Sequence, residues 1–203
     1  MNIIFLDIDG VINNWGDWDK RDDLTQKIII SKEGFCKESI EAVNEIQTKF
    51  DAKIVLSSTW RIDKENLEEV KSVFDIYDIT PKIGKRRLSQ YIPRWQEIIL
   101  WLQLQESYPE KIVILDDDSD ASNFFLKPYH FLTNNYIGLR LSHIEEVSAI
   151  FNQKIVGISD VYEKRCFIKD NTYYIMEYDK EESGFIDKGY IERNVFLPYY
   201  PLY

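Results

Sequence analysis

The segment FLDIDGV, residues 5–11, runs apolar residues straight into two acids, Asp7 and Asp9, with Gly10 immediately after. A turn needs one aspartate at most. Two carboxylates separated by a single residue repel each other, so the pair points to a site that holds something positive. Two further apolar runs end in residues that could share such a site. IVLSSTW delivers Ser57 and Ser58, and IVILDDDSD delivers Asp116, Asp117, Asp118 and Asp120. Five or six carboxylates in one place cannot all stay ionised without a cation, and a hard oxygen-ligated ion such as Mg²⁺ suits them.

For these residues to meet, the runs that carry them must lie side by side. NIIFL (2–6), KIVLS (53–57) and KIVIL (111–115) are short and do not alternate, as expected of strands in a buried parallel sheet. Helical spacing lies between them. Ile40, Val43, Ile46 and Phe50 recur at intervals of three and four, and so do Leu67, Val70 and Phe74. Pro93 suits a first helical position, followed by an apolar stripe of Trp95, Ile98, Ile99 and Leu102, and SHIE (142–145) reads as a capping box opening another helix. Strands alternating with helices predict a doubly wound α/β fold. In such a sheet ligands bind beyond the carboxyl ends of the strands, where all three runs deliver their polar residues.

The texture changes after residue 153. Residues 151–203 hold 12 of the 29 aromatics, with turn signals at KDN and ESG, which predicts short strands or a hairpin. The expected organisation is therefore a catalytic domain over 1–153 and a β-rich aromatic extension over 154–203 packed on it.

A chain of 203 residues, 44% hydrophobic and 30% charged, can form one well-cored globular unit. No apolar run is long enough for a membrane span or a signal peptide. Two cysteines, Cys36 and Cys166, argue against a disulfide framework and make a cytoplasmic location the expectation. A net charge of −10 argues against a broad nucleic-acid-binding surface, although a nucleotide or a nucleic-acid end could still be bound with a metal offsetting charge locally.

Taken together, DIDGV, VLSS and ILDDDSD resemble the first, second and fourth motifs of the haloacid dehalogenase (HAD) superfamily of phosphotransferases. VLSSTWR, RWQEIILWL, ILDDDSD and a later GL are similar, over roughly residues 1–150, to the HAD domain of the Swiss Army Knife RNA-repair family. The resemblance implies a HAD-like (Rossmannoid) sheet and a phosphatase that passes through an aspartyl-phosphate. Asp7 would be the nucleophile. Asp9 would serve as general acid and then general base, both side chains facing one way on an extended segment. Gly10 would let the chain pass beneath the phosphate without a Cβ, and Ser57, Ser58 and nearby backbone N–H groups would bind its oxygens. Mg²⁺ is expected on Asp7, Asp116 and the Asp9 carbonyl, with Asp117 and Asp120 as further candidates. The third motif, a cation pairing nucleophile and phosphate, falls on Arg94, with KRR (85–87) as rival.

Each piece also has a plainer explanation. DIDG can be a turn, DDDSD a solvated helix cap through Ser119 or Asp120, and the serines an N-cap. Trp60 and Arg61 are expected to pack and to salt-bridge, the C-terminal aromatics to form core and edge strands, and His130 and His143 lack metal-ligand spacing. Against the plain account stands the coincidence of three such features in family order on three strand ends. No insertion large enough for a cap domain follows, residues 13–35 being at most a flap. A nearly open site suits bulky substrates, a nucleic-acid end or phosphoprotein, while the acidic surface favours a nucleotide or phosphoprotein. The alternative to an enzyme is a catalytically retired HAD-like domain acting as a binding or regulatory module, and the retained acids speak against it, since a binding module has no use for their repulsion.

Overall fold

The computed structural model describes residues 1–18, 34–82, 93–123 and 126–153, together with the segments 166–169, 172–179, 184–192 and 195–197. The three apolar runs form β1 (Asn2–Leu6), β2 (Ala52–Leu56) and β4 (Lys111–Asp116). Two shorter strands, β3 (Ile76–Ile79) and β5 (His130–Leu132), complete a parallel sheet in the order β3-β2-β1-β4-β5. β1 is central, which explains why Ile3 through Leu6 are fully buried and apolar on both faces.

A helical turn, α1 (Trp15–Trp18), follows β1, and then α2 (Lys37–Phe50) leads to β2. α3 (Lys64–Val73) joins β2 to β3, α4 (Arg94–Gln103) precedes β4, and α5 (Ile144–Phe151) follows β5. The apolar stripes of α2, α3 and α5 cover one face of the sheet, packing Val43, Ile46, Val70 and Val147 on Ile4, Leu6, Ile54 and Val113. α4 covers the other face with Ile98, Trp101 and Leu102 against Ile3, Phe5 and Ile112. The successive residues of β1 divide between the two cores as pleating requires. Phe5 meets Trp101 edge to face, with centroids 5.3 Å apart.

The chain steps from β1 to β2 and β3 on one side, then crosses back through α4 to β4 on the other. That reversal places the switch point at β1 and β4. The register completes the alignment: Leu6 is level with Leu56 and with Leu115, so the next residues of all three strands emerge together.

Two local expectations need correction. Pro93 stands at the N-cap rather than inside α4. The helix expected after SHIE is present as α5, but Ser142 does not cap it: residues 141–143 form a 3₁₀ turn in which His143 Nδ1 accepts the Arg140 N–H at 3.1 Å, and α5 starts without a side-chain cap.

The C-terminal strands, β6 (Cys166–Lys169), β7 (Thr172–Asp179), β8 (Gly184–Glu192) and β9 (Val195–Leu197), form a separate antiparallel sheet in sequential order. The strand character expected there is present. Among the described residues no helix is long and apolar enough to cross a membrane.

Candidate active site

Three adjacent strand ends build the site. Beyond β1, the Asp7 N–H donates to the Leu115 carbonyl at 2.9 Å, and the Ser57 N–H donates to the Leu6 carbonyl at 2.9 Å. The parallel ladder thus extends one residue past the strands, holding Asp7 between Ser57 and Asp116. Asp7 and Asp116 are buried, at 3% and 0% exposure. One oxygen from each of Asp7, Asp116 and Asp117 lies within 4.8 Å of the others.

Arg94, the first residue of α4, reaches into this cluster. Its Nη1 lies 2.6 Å from Asp7 Oδ1 and 2.9 Å from Asp116 Oδ2. The Arg94 backbone N–H donates to Asp120 Oδ2 at 3.3 Å. Asp120 therefore sits at the amino end of α4, where a carboxylate satisfies an orphan donor and favours the helix dipole. It is not one of the three clustered acids. Asp118 turns away as well: it accepts the Asp120 N–H at 3.0 Å while its own N–H holds Asp116 Oδ1 at 2.9 Å. The rival basic run, residues 85–87, lies outside the described residues.

The charges are unbalanced. Burial pushes the Asp7 carboxyl above its ordinary range, and Arg94, Ser58 and the Ile8 backbone, which bond the ionised form, offset this only in part. Burial also raises Asp116 well above the usual value, and the charge of Asp7 adds to the rise. Asp117 is raised by burial and by Asp7. Burial works against the Arg94 charge, but Asp7 and Asp116 outweigh it and hold the guanidinium protonated. One cation facing three carboxylates leaves a negative excess of hard oxygen donors, the donor set that fits Mg²⁺.

Asp9 lies apart from this cluster. β1 ends at Leu6, and residues 8–13 wind into a turn in which the N–H groups of Ile12 and Asn13 both bond the Ile8 carbonyl, at 2.8 and 2.9 Å. The extended segment therefore does not continue past this turn, and Asp9 sits at its start. Asp7 is buried, whereas Asp9 is exposed. Asp9 Oδ2 accepts the Trp60 indole N–H at 2.8 Å, and Oδ1 accepts from the Asn13 amide at 3.3 Å. Gly10 has φ +75°, and a Cβ there would lie 2.2 Å from Asp117 Cγ. Its lack of a side chain makes room for Asp117, so the neighbour on this side is an acid of the cluster.

Ser57 is fully buried, and among the described residues its hydroxyl finds no hydrogen-bond partner, an unusual state for a buried polar group. Ser58 caps the 3₁₀ turn Thr59–Ile62 by accepting the Trp60 N–H at 3.4 Å, and its side chain is one of the groups that offset the rise of the Asp7 carboxyl. The N-cap reading of this residue holds. Arg61 salt-bridges as expected. It ion-pairs with buried Glu97 of α4, and it donates to the carbonyls of Ser57, at 2.8 Å, of Ser58, and of Thr80, at 2.9 Å.

Two contributors escaped the sequence reading. The first is the Trp60 indole as a partner of Asp9. The second is His130, whose Nε2 lies 3.1 Å from the Asp116 carbonyl while Nδ1 meets the Ser122 hydroxyl at 2.9 Å, bracing the acidic loop from β5. Neither carries a signal in sequence, since each partner is remote or local only after folding.

A small cavity opens beside Asp9, lined by Gly10, Asn13, Asn14 and Trp15. Trp15 is 62% exposed, and Tyr136, whose carbonyl accepts the Gly16 N–H at 2.9 Å, is 54% exposed.

Comparison with curated proteins and with solved structures gave no match. Comparison with protein families matches residues 3–144 to the HAD domain in Swiss Army Knife RNA repair proteins. The match spans most of the chain and takes in the parallel sheet, apart from the first residue of β1, and every residue of the acidic cluster. With the strand order and the placement of Asp7, Ser57 and Asp116 at three neighbouring strand ends, it establishes that the chain belongs to this HAD family.

Proposed function

We propose that the protein is a Mg²⁺-dependent phosphomonoester hydrolase working through an aspartyl-phosphate. The observation that carries this reading is Asp7 itself: a buried carboxylate at the central strand end, bound by Arg94 and flanked by Asp116 and Asp117. A binding module gains nothing from that repulsion, whereas phosphoryl transfer needs a nucleophile, a cation and counter-charge in one place.

Asp7 Oδ attacks phosphorus as the bond to the leaving oxygen breaks, and Asp9 gives that oxygen its proton. Asp9 then takes a proton from the water that attacks the phosphorus, and the Asp7 carboxylate is released. Arg94 keeps Asp7 aimed and faces the charge on the transferring group, while Ser57 offers its unpartnered hydroxyl to a phosphoryl oxygen. Asp7, Asp116 and Asp117 would hold Mg²⁺, which would neutralise the phosphoryl oxygens so that an anion can approach an anion.

The substrate class we favour is a nucleotide or a nucleic-acid end rather than a phosphoprotein. The RNA-repair description of the family supports it. So do the exposed rings of Trp15 and Tyr136 near the cavity beside Asp9, since a leaving nucleoside lies on the side of the residue that protonates it.

The test is hydrolysis of an aryl phosphate and of a terminally phosphorylated oligonucleotide with Mg²⁺. Activity should vanish with chelator and in Asp7→Asn, whose amide cannot attack phosphorus. Substantial turnover by purified Asp7→Asn protein would overturn the nucleophile assignment.

A further inference from the structure

We infer that Trp60 is a positioning residue for Asp9, and this inference rests on the hydrolase reading for its catalytic consequence. Asp9 is exposed, and an exposed aspartate ordinarily samples several rotamers. Here both of its oxygens are engaged, Oδ2 by the Trp60 indole N–H at 2.8 Å and Oδ1 by the Asn13 amide at 3.3 Å. A carboxylate has about four acceptor positions, so two stay open for substrate. The tether sets the direction in which they point.

Trp60 is itself held rigidly. It belongs to the short turn Thr59–Ile62, its ring packs against Phe35 with centroids 5.5 Å apart, and it lies partly buried on the main core. Arg61, the next residue, bonds the carbonyls of Ser57, Ser58 and Thr80 and pairs with Glu97, which anchors the turn to β2, to β3 and to α4. The anchored turn therefore carries the indole that bonds Asp9. A functional carboxylate gains precision when its supporting residues are locked by packing.

Replacing Trp60 by Phe removes the N–H and keeps a ring against Phe35. The expected result is selective. With Mg²⁺, Trp60→Phe should lower kcat for an alkyl phosphate roughly tenfold or more, the scale of one hydrogen bond to a charged group. It should leave an aryl phosphate with a good leaving group, and KM for both, nearly unchanged. In an Asp9→Asn background the substitution should add nothing, because residues that act as a unit are not additive. A second measurement needs neither turnover nor the Trp60 variant's stability: in the wild-type protein the Trp60 indole N–H resonance should be distinct and slowly exchanging, and in Asp9→Ala it should shift and exchange faster. An indole resonance indifferent to Asp9→Ala overturns the tether. Equal losses for both leaving groups, or full additivity with Asp9→Asn, overturn the positioning role. An intact indole response in a protein that hydrolyses neither phosphate upholds the tether and removes the hydrolase reading instead.

Discussion

Arg61 and Glu97 form a buried ion pair that ties the loop after β2 to the helix presenting Arg94. Their side chains are 2% and 5% exposed, and Lys82 reaches the other Glu97 oxygen at 3.4 Å. Glu97 lies three residues after Arg94, so one helix contributes a cation to the acidic cluster and an anion to the turn that bears Ser58 and Trp60. Burial lowers the affinity of Arg61 for its proton, and Glu97 offsets this only in part. Glu97→Gln should leave that guanidinium buried and uncompensated, at a cost of about 3–5 kcal/mol. In a protein of this size the melting temperature should fall by on the order of 10 °C. A thermal melt within about 2 °C of wild type would show that Arg61 finds another counter-charge.

The parts of this architecture that sequence revealed are those with continuous signals. β1, β2 and β4 are buried on both faces, so each appears as an unbroken apolar run ending in chemistry. β3 and β5 have no such run: IYDI exposes Tyr77 and Ile79, and HFL has three residues with Leu132 exposed. Their strand character comes from pairing with neighbours, which periodicity cannot report. The same divide runs through the site. Asp7, Ser57 and Asp116 follow from strand ends, and Arg94 from its place at the start of the helix before the acidic strand. Asp117 and Asp120 look alike in sequence, and only the turn after β4 sends one to the cluster and the other to the amino end of α4. The partnership of Trp60 with Asp9 spans 51 residues and has no local trace.

Gly10→Ala tests the close packing of Asp117. The left-handed φ of +75° costs a non-glycine residue about 1–2 kcal/mol, a modest loss of stability. The added Cβ also meets Asp117 Cγ and Oδ2 at 2.2 Å and must displace that carboxylate from the cluster. The loss in Mg²⁺ response should therefore exceed the loss in stability. Titrating Mg²⁺ against melting temperature gives both quantities, and an unchanged midpoint would remove Asp117 from the metal site.

The raised carboxyls make stability depend on pH with a definite sign. Asp7, Asp116 and Asp117 have folded pKa values above the ordinary 3.8, so the folded protein binds more protons than the unfolded chain. Their contribution is complete below about pH 4 and is lost as pH rises through the raised values. Metal-free protein should lose stability as pH climbs above 4, and Asp116→Asn should flatten that slope. Saturating Mg²⁺ at neutral pH should restore about 3 kcal/mol at a hundredfold excess over Kd, a rise of roughly 5–10 °C. Asp116→Asn should abolish this shift. A melting temperature that follows Mg²⁺ equally well in the variant would place the metal elsewhere.

Arg94 gives the sharpest test of the charge arrangement, because its roles in stability and in turnover should respond differently to Mg²⁺. Without metal it is the cation between Asp7 and Asp116, at 2.6 and 2.9 Å. Arg94→Ala leaves buried acids facing each other, and metal-free protein should lose about 3–5 kcal/mol at neutral pH. Part of that loss should disappear at pH 4, where protonation relieves the repulsion, and part with Mg²⁺, which supplies positive charge. Turnover should not recover in the same way. A charge-assisted contact to the transferring group is worth on the order of 3 kcal/mol, so kcat should drop a hundredfold or more even where Mg²⁺ has restored the fold. Lysine should return the charge without the planar fork and recover only part of the rate. A variant whose stability and rate both return with Mg²⁺ would make Arg94 a placeholder for the metal, and it would move the third motif to residues 85–87.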